Sequence, residues 1–344
     1  MKKLNLCGLT ADEIFGMIEP EEFDHSHAVL ISNAIYKRKS SEFSQIKGIS
    51  KKLKNWLSDN TLSGIYNPRA SEISADGTVK YLFQNSEGQK FETVYIPDGK
   101  RNTVCVSTQS GCRMGCPFCA TGIYGFYGDL SAGDIVNQIL GIPVSEKITH
   151  IVFMGMGEPM DNLPNVLKAC EIITAEWGMA LSPGNVTVST VGITPAIELY
   201  LVKSRCNLTL SLFSPFPYER RRMVPAEKKY PVSEIIETLK NYPLNKRRRL
   251  TTAYVMINNV NDTDKHLEGL KILLLNSDIR VNLLPYHQVK GDRNISSSYE
   301  RMHFFKHNLV ISGISASIRK SRGADISAAC GLLASELGRE SESK

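Results

Sequence analysis

The chain has 344 residues, 42% of them hydrophobic, and carries 41 Lys and Arg against 35 Asp and Glu for a formal net charge of +6. That length allows a barrel-sized domain with an accessory unit, and no stretch reaches the roughly 18 apolar residues of a membrane span. The start has no apolar core before Asp12 and Glu13, so a secretory signal is not expected, and eight cysteines then point to a reducing cytoplasm with metal or redox chemistry.

Residues 1–66 read as a small helical domain. Thr10 and Glu13 have capping-box spacing, and 27–37 and 50–57 repeat the apolar spacing of helices. From 67 to 100 the pattern changes to alternation, with strands at 78–83 and 91–96 around a turn at 85–88; this strand-rich connector carries Glu92. After Arg101, strands are predicted at 103–108, 149–154, 185–190, 208–213, 251–257 and 281–285. Helices alternate with them at 132–140, 163–176, 195–202, 232–240 and 262–275, and a last strand-like run follows at 314–318. Six consecutive β/α units predict a parallel sheet curled into a partial (β/α)6 barrel, residues 101–337, followed by a polar tail at 338–344.

Barrel chemistry gathers at the carboxyl ends of strands. The loop after the first predicted strand holds Cys112, Cys116 and Cys119 within eight residues, in Cys-x3-Cys-x2-Cys spacing. Three thiolates are one short of closing a cubane iron–sulfur cluster or a zinc site, which leaves one position for a small molecule. No second cysteine pair follows at zinc-knuckle spacing, so a [4Fe-4S] cluster is the first expectation and a zinc-stabilised RNA-binding module the alternative. The next three strands end in Gly155-Met-Gly-Glu-Pro159, Ser189-Thr190 and Ser211-Leu212-Phe213, so the motifs converge on one rim. Four basic runs, 37–39, 51–54, 220–222 and 246–249, raise the expectation of a polyanionic partner, RNA first, although such runs are more often plain solvated faces.

Cys-x3-Cys-x-aromatic-Cys, with Phe118 as the aromatic, resembles the radical S-adenosylmethionine (SAM) enzymes. There the open iron chelates SAM, and an electron from the cluster cleaves it to a 5′-deoxyadenosyl radical. Glu92-Thr-Val-Tyr-Ile-Pro97, Cys105-Val-Ser-Thr-Gln-Ser-Gly-Cys112, Met154-Gly-Met-Gly-Glu-Pro159 and 319–331 together narrow the resemblance to the RlmN/Cfr family, adenosine C2/C8 methyltransferases of 23S rRNA, with 319–330 closer to the C2 (RlmN) type. The resemblance runs from about 78 to 337.

It implies that Cys330 carries the methyl group as S-methylcysteine, that Glu92 accepts a proton, and that Cys105 forms a transient disulfide with Cys330. SAM, two per turnover, would meet Gly157, Glu158, Ser189, Ser211 and Leu212. Three positions depart from the family pattern: Phe213 stands where histidine is usual, His287 where asparagine is usual, and Leu332 where glutamine is common. The implied activity is C2 methylation of an adenosine in 23S rRNA, with tRNA as a further substrate. C8 methylation and radical chemistry on another RNA nucleotide are the alternatives. The implied setting is cytoplasmic: a monomer served by an electron donor such as flavodoxin. From the residues alone, Glu92 reads as a solvent-facing strand residue, Cys105 as a small buried hydrophobe, and Cys7, Cys170 and Cys206 as structural.

Overall fold

A computed structural model describes residues 3–243, 248–289 and 291–334. The 338–344 tail, and Lys246 and Arg247 of the last basic run, lie outside the described residues. The chain opens with β1 (Leu4–Asn5), then α1 (Ala11–Ile18), α2 (His25–Tyr36), α3 (Lys51–Asn60) and β2 (Thr61–Leu62). Thr10 caps α1, with Glu13 closing the capping box, and Ser50 caps α3; each such cap is worth about 1 kcal/mol. The pairing of β1 with β2 was not expected, because two residues are too short to show alternation. Gly8 explains how tightly this unit meets the barrel. Its φ is +95°, and a Cβ there would lie 2.3 Å from the backbone nitrogen of Gly133.

The connector forms β3 (Ala70–Ile73), β4 (Val79–Gln84) and β5 (Lys90–Asp98), an antiparallel meander. It runs straight into the barrel: β6 (Arg101–Cys105) pairs antiparallel with β5 and parallel with the next barrel strand. A short ribbon follows, β7 (Gln109–Gly111) and β8 (Phe126–Asp129), with α4 (Ala120–Tyr124) between its strands. Then come α5 (Ala132–Leu140), β9 (His150–Phe153), α6 (Leu163–Thr174), β10 (Val186–Thr190), α7 (Thr194–Lys203) and β11 (Asn207–Ser211). The chain continues with α8 (Pro217–Met223), α9 (Val232–Asn241), β12 (Leu250–Met256), α10 (Asp264–Leu274), β13 (Arg280–Pro285), α11 (Tyr299–Ile311) and β14 (Ala316–Ile318).

The ten-stranded sheet has the order β14-β13-β12-β11-β10-β9-β6-β5-β4-β3, parallel from β6 to β14. This is a partial α/β barrel of parallel strands, the architecture the β/α alternation predicted. Helix α5 matches its predicted bounds, since Ser131 and Asp134 form a capping box ahead of a regular apolar stripe. The predicted strands 103–108 and 208–213 end early, at Cys105 and Ser211, because the chain turns there to build the rim. Helix α11 was not predicted; it buries Met302, Phe305 and Leu309, too sparse a stripe to read. Alternate residues of the barrel strands point inward, and several are small and polar: Thr103, Thr187, Thr209 and Thr251. They leave a bore of about 590 Å³.

Candidate active site

The three cysteines sit where the spacing suggested. The loop is pinned at both ends, Cys112 N–H donating to Gly125 O (2.8 Å) and Cys119 N–H to Cys116 O (3.1 Å). All three thiols line one wall of a cavity of about 180 Å³ at the carboxyl rim. Burial pushes Cys112 up to about 12, and burial raises Cys116 further, with the neighbouring Cys119 and Cys112 adding to it. Thiols gathered this way resist ionising unless a cationic group takes the charge, which is what an iron–sulfur cluster provides. Among the described residues no three His, Cys, Asp or Glu side chains converge on a single point. A cubane does not need that, because it presents a separate iron to each thiolate. The loop therefore fits the cluster.

The opposite wall comes from the ends of β9, β10 and β11: Gly157, Glu158, Ser189, Ser211 and Phe213. Gly157 has φ +96°, and a Cβ there would sit 2.6 Å from Gln109 Cβ, so only glycine lets these two loops close together. Ser189 Oγ lies 3.4 Å from Ser211 Oγ. Glu158 is buried, its carboxylate accepting from Met160 N (3.0 Å) and Val191 N (2.8 Å). Burial pushes its pKa up to about 7, against hydrogen bonds from Thr190, Val191 and Met160. A ligand N–H donor placed against Glu158, as the resemblance implies for SAM, favours the ionised carboxylate, so binding there below about pH 7 must first release a proton. SAM affinity is thus expected to fall with acidification, by up to about tenfold per pH unit. Equilibrium SAM binding across pH checks this; Glu158→Gln should flatten the curve, and an unchanged slope in that variant counts against it.

Leu212 does not line the cavity; it is fully buried behind it. Arg220, expected on a basic surface, is also fully buried. It pairs with buried Glu227 and donates to the carbonyls of Leu212 (3.0 Å), Ser211 (3.3 Å) and Val191. One guanidinium thereby ties together the rim loops after β10 and β11. No property of the run 220–222 distinguished Arg220 from exposed Arg221 and Arg222; only its helical phase on α8 did. Arg220→Met leaves Glu227 buried and uncompensated and is expected to cost about 3–5 kcal/mol, read from the denaturation midpoint.

The departing residues are all in place. Phe213 adopts φ +63°, an uncommon conformation for an aromatic residue, held by Asn261 Nδ2 donating to its carbonyl (2.8 Å). Its ring stacks on Phe118 between the last two cysteines, centroids 5.5 Å apart and planes 17° apart. His287 lines the cavity with its Nε2 3.0 Å from Ser321 Oγ, and burial lowers its pKa. Leu332 is half-buried beside Cys330 in sequence and lines neither cavity.

Cys330 is exposed and lines both the rim cavity and the bore, at the point where they meet. Its segment crosses the rim as a strap. Ala120 N–H donates to Gly331 O (2.7 Å), Thr121 Oγ1 to Leu333 O (2.6 Å), and Ser74 Oγ to Asp325 (2.6 Å). Cys105, at the end of β6, is buried; burial pushes it up to about 12, the neighbouring Cys330 adds to this and the Arg319 guanidinium opposes it. Glu92 is buried, not solvent-facing, and accepts from Ala334 N of the strap (3.0 Å). Arg101, Arg249 and Arg280, at the amino ends of β6, β12 and β13, make the far mouth of the bore cationic, and Arg319, Lys320 and Arg322 after β14 line the bore as well.

The fold and this rim define a radical SAM enzyme: the Radical SAM superfamily model matches residues 106–269. The chain is 40% identical to the probable dual-specificity RNA methyltransferase RlmN of Parabacteroides distasonis over 331 residues, 96% of each chain. It is 35% identical to the dual-specificity RNA methyltransferase RlmN of Geobacter sulfurreducens, covering 97% of this chain and 93% of that one. The crystal structure of a radical SAM methyltransferase from Sphaerobacter thermophilus superposes with a TM-score of 0.89 at 34% identity, covering 97% of this chain and 100% of that one. The chain belongs to the RlmN family of radical SAM RNA methyltransferases. That membership removes the zinc-module alternative.

Proposed function

We propose that the chain methylates C2 of an adenosine in 23S rRNA and in tRNA, with Cys330 as the methyl carrier. The observation that carries this reading is the position of Cys330, between the rim cavity lined by the cysteine loop and a bore whose mouth is cationic. A cluster held by Cys112, Cys116 and Cys119 supplies, when bound, the electron that cleaves SAM to a carbon radical. Cys330 takes a methyl group from one SAM on its sulfur. Its exposure leaves that methyl open both to the rim and to a base arriving through the bore. Glu92 accepts the proton that the methylated ring carbon loses; its strand and its bond to Ala334 fix its direction. The S-methyl carbon of Cys330, once it has lost a hydrogen atom, bonds to the adenine carbon and joins protein and RNA. Cys105, a neutral thiol beside Cys330, then attacks the Cys330 sulfur once deprotonated, breaking its bond to that carbon. The carbon leaves with the electron pair and takes up a proton as the product methyl, while the two sulfurs remain as a disulfide.

The cationic mouth fits phosphates, and an RNA base must be splayed out of its stack to reach Cys330. Residues 1–66, with Lys37, Arg38, Lys51 and Lys52 exposed, serve as the RNA-binding accessory domain, 67–100 as the connector and 101–337 as the core. No described helix is long and apolar enough to cross a membrane. A cytoplasmic monomer with a flavodoxin-type donor completes the reading. C2 over C8 rests on the likeness of 319–330 to the C2 type and on the RlmN relatives. Mass spectrometry of modified adenosines in rRNA and tRNA, with and without the gene, tests it. Loss of 2-methyladenosine is expected; loss of 8-methyladenosine instead overturns the C2 assignment, and no change in either RNA overturns the substrate.

A further inference from the structure

Lys80 belongs to none of the motifs, yet it is 4% exposed. Lysine is almost never buried this deeply unless paired, because removing an ammonium from water costs several kcal/mol. Its partners are supplied by sheet register. Glu72 lies directly opposite Lys80 on β3, and Leu82, two residues along β4, lies opposite Glu92. Strand side chains alternate between faces, so Glu72, Lys80 and Glu92 share one face. The ammonium is 3.4 Å from Glu72 Oε2, 3.9 Å from Glu92 Oε1 and 2.6 Å from the carbonyl of Ile326. The ammonium thus donates to the carbonyl and lies within ion-pair distance of both carboxylates.

The carbonyl belongs to the strap. Lys80 grips it before Cys330, at Ile326, while Glu92 grips it after Cys330, at Ala334. The pair therefore holds the Cys330 segment from both sides while standing on rigid strands. Nothing in the cluster loop or the SAM wall needs a cation at this place.

We propose that Lys80 is the positioning residue of the reaction: it keeps the Glu92 carboxylate ionised and aimed, and sets the strap so that Cys330 and Glu92 act on the same substrate carbon. This rests on the roles given above to Glu92 and Cys330. Lys80 itself touches no reacting atom. A charge facing a buried carboxylate holds it in its acceptor form, and a carbonyl bond to the same ammonium couples that state to the strap.

The test is Lys80→Met in reconstituted full-length enzyme, with S-methyl-Cys330 occupancy, single-turnover RNA methylation and covalent protein–RNA adduct each measured. Wild-type occupancy is expected, with methylated RNA falling about tenfold or more, part of the roughly 10²–10⁴-fold that a positioned base contributes. Adduct that awaits proton removal should accumulate on Cys330, and Lys80→Arg, which keeps the charge, should recover most turnover. In a Glu92→Gln background Lys80→Met should add no further loss, since the two act as one unit. That comparison also serves if the single variant folds poorly, because it neutralises the buried pair together. Wild-type turnover, occupancy lost in step with turnover, or an additional loss in the Glu92→Gln background overturns the assignment. Wild-type protein without S-methyl-Cys330 overturns the underlying reading, and this assignment with it.

Discussion

Replacing Cys330 with alanine is expected to abolish RNA methylation while leaving the rest of the machinery intact. Cys330 is exposed and lies outside the cluster loop, so its loss removes no core contact and should change stability by no more than about 0.5 kcal/mol. Iron content should match the wild type, because Cys330 is outside the cysteine loop, and SAM affinity should change little, because most of the rim cavity is built from that loop and the ends of β9, β10 and β11. What disappears is the sulfur proposed to accept the methyl group, and alanine has no nucleophile to replace it. Product should fall by more than about 10³-fold, the scale on which removing a covalent catalyst acts. Peptide mass spectrometry for S-methylcysteine, with methyladenosine quantified in the same preparation, reads both effects. Normal methylation by the variant would sink the carrier role, whereas loss of iron alongside activity would mean that the strap supports the cluster loop.

The second large effect is expected at Cys116. It is the most enclosed of the three thiols in the Cys112–Cys119 loop proposed to hold the cluster, and packs with Phe213, Val224, Ile257 and Tyr286 in a small core of its own. Cys116→Ser keeps the size but replaces a soft thiolate donor with a hydroxyl that does not ionise near neutral pH. Anaerobically reconstituted wild type should be brown, with about four irons per chain. The variant should be pale, hold a small fraction of that iron, and release no 5′-deoxyadenosine from SAM. Because Phe118 stacks on Phe213, the empty loop should also loosen the aromatic wall, visible as weaker SAM binding. Full iron and full SAM cleavage in Cys116→Ser would remove Cys116 from the ligand set.

Much of this was legible in the chain. The cysteine spacing is local, and a loop of eight residues brings its thiols together whatever surrounds it. The β/α alternation is a matter of period, which is why α5 kept its predicted bounds and six units were countable. Strand ends follow from that order, so the rim location of Gly157, Glu158, Ser189 and Ser211 came with it. Glu92 was different. Its residues alone read as a solvent-facing position on β5, which the structure overturns, because which face is covered depends on a strap more than 200 residues away in sequence.

Residue types and local spacing by themselves determined the three-cysteine loop, the barrel architecture and, through motif resemblance, the kind of chemistry. The tertiary structure alone decided that Glu92 and Lys80 are buried under the Cys330 strap, that Arg220 is an internal tie while Arg221 and Arg222 face solvent, and that Cys330 stands between two cavities. The physical reason is that burial of a charged side chain is set by long-range packing and by the partner that compensates it, and the place of Cys330 by a strap packed across distant strands; none of these has a period that a sequence can display.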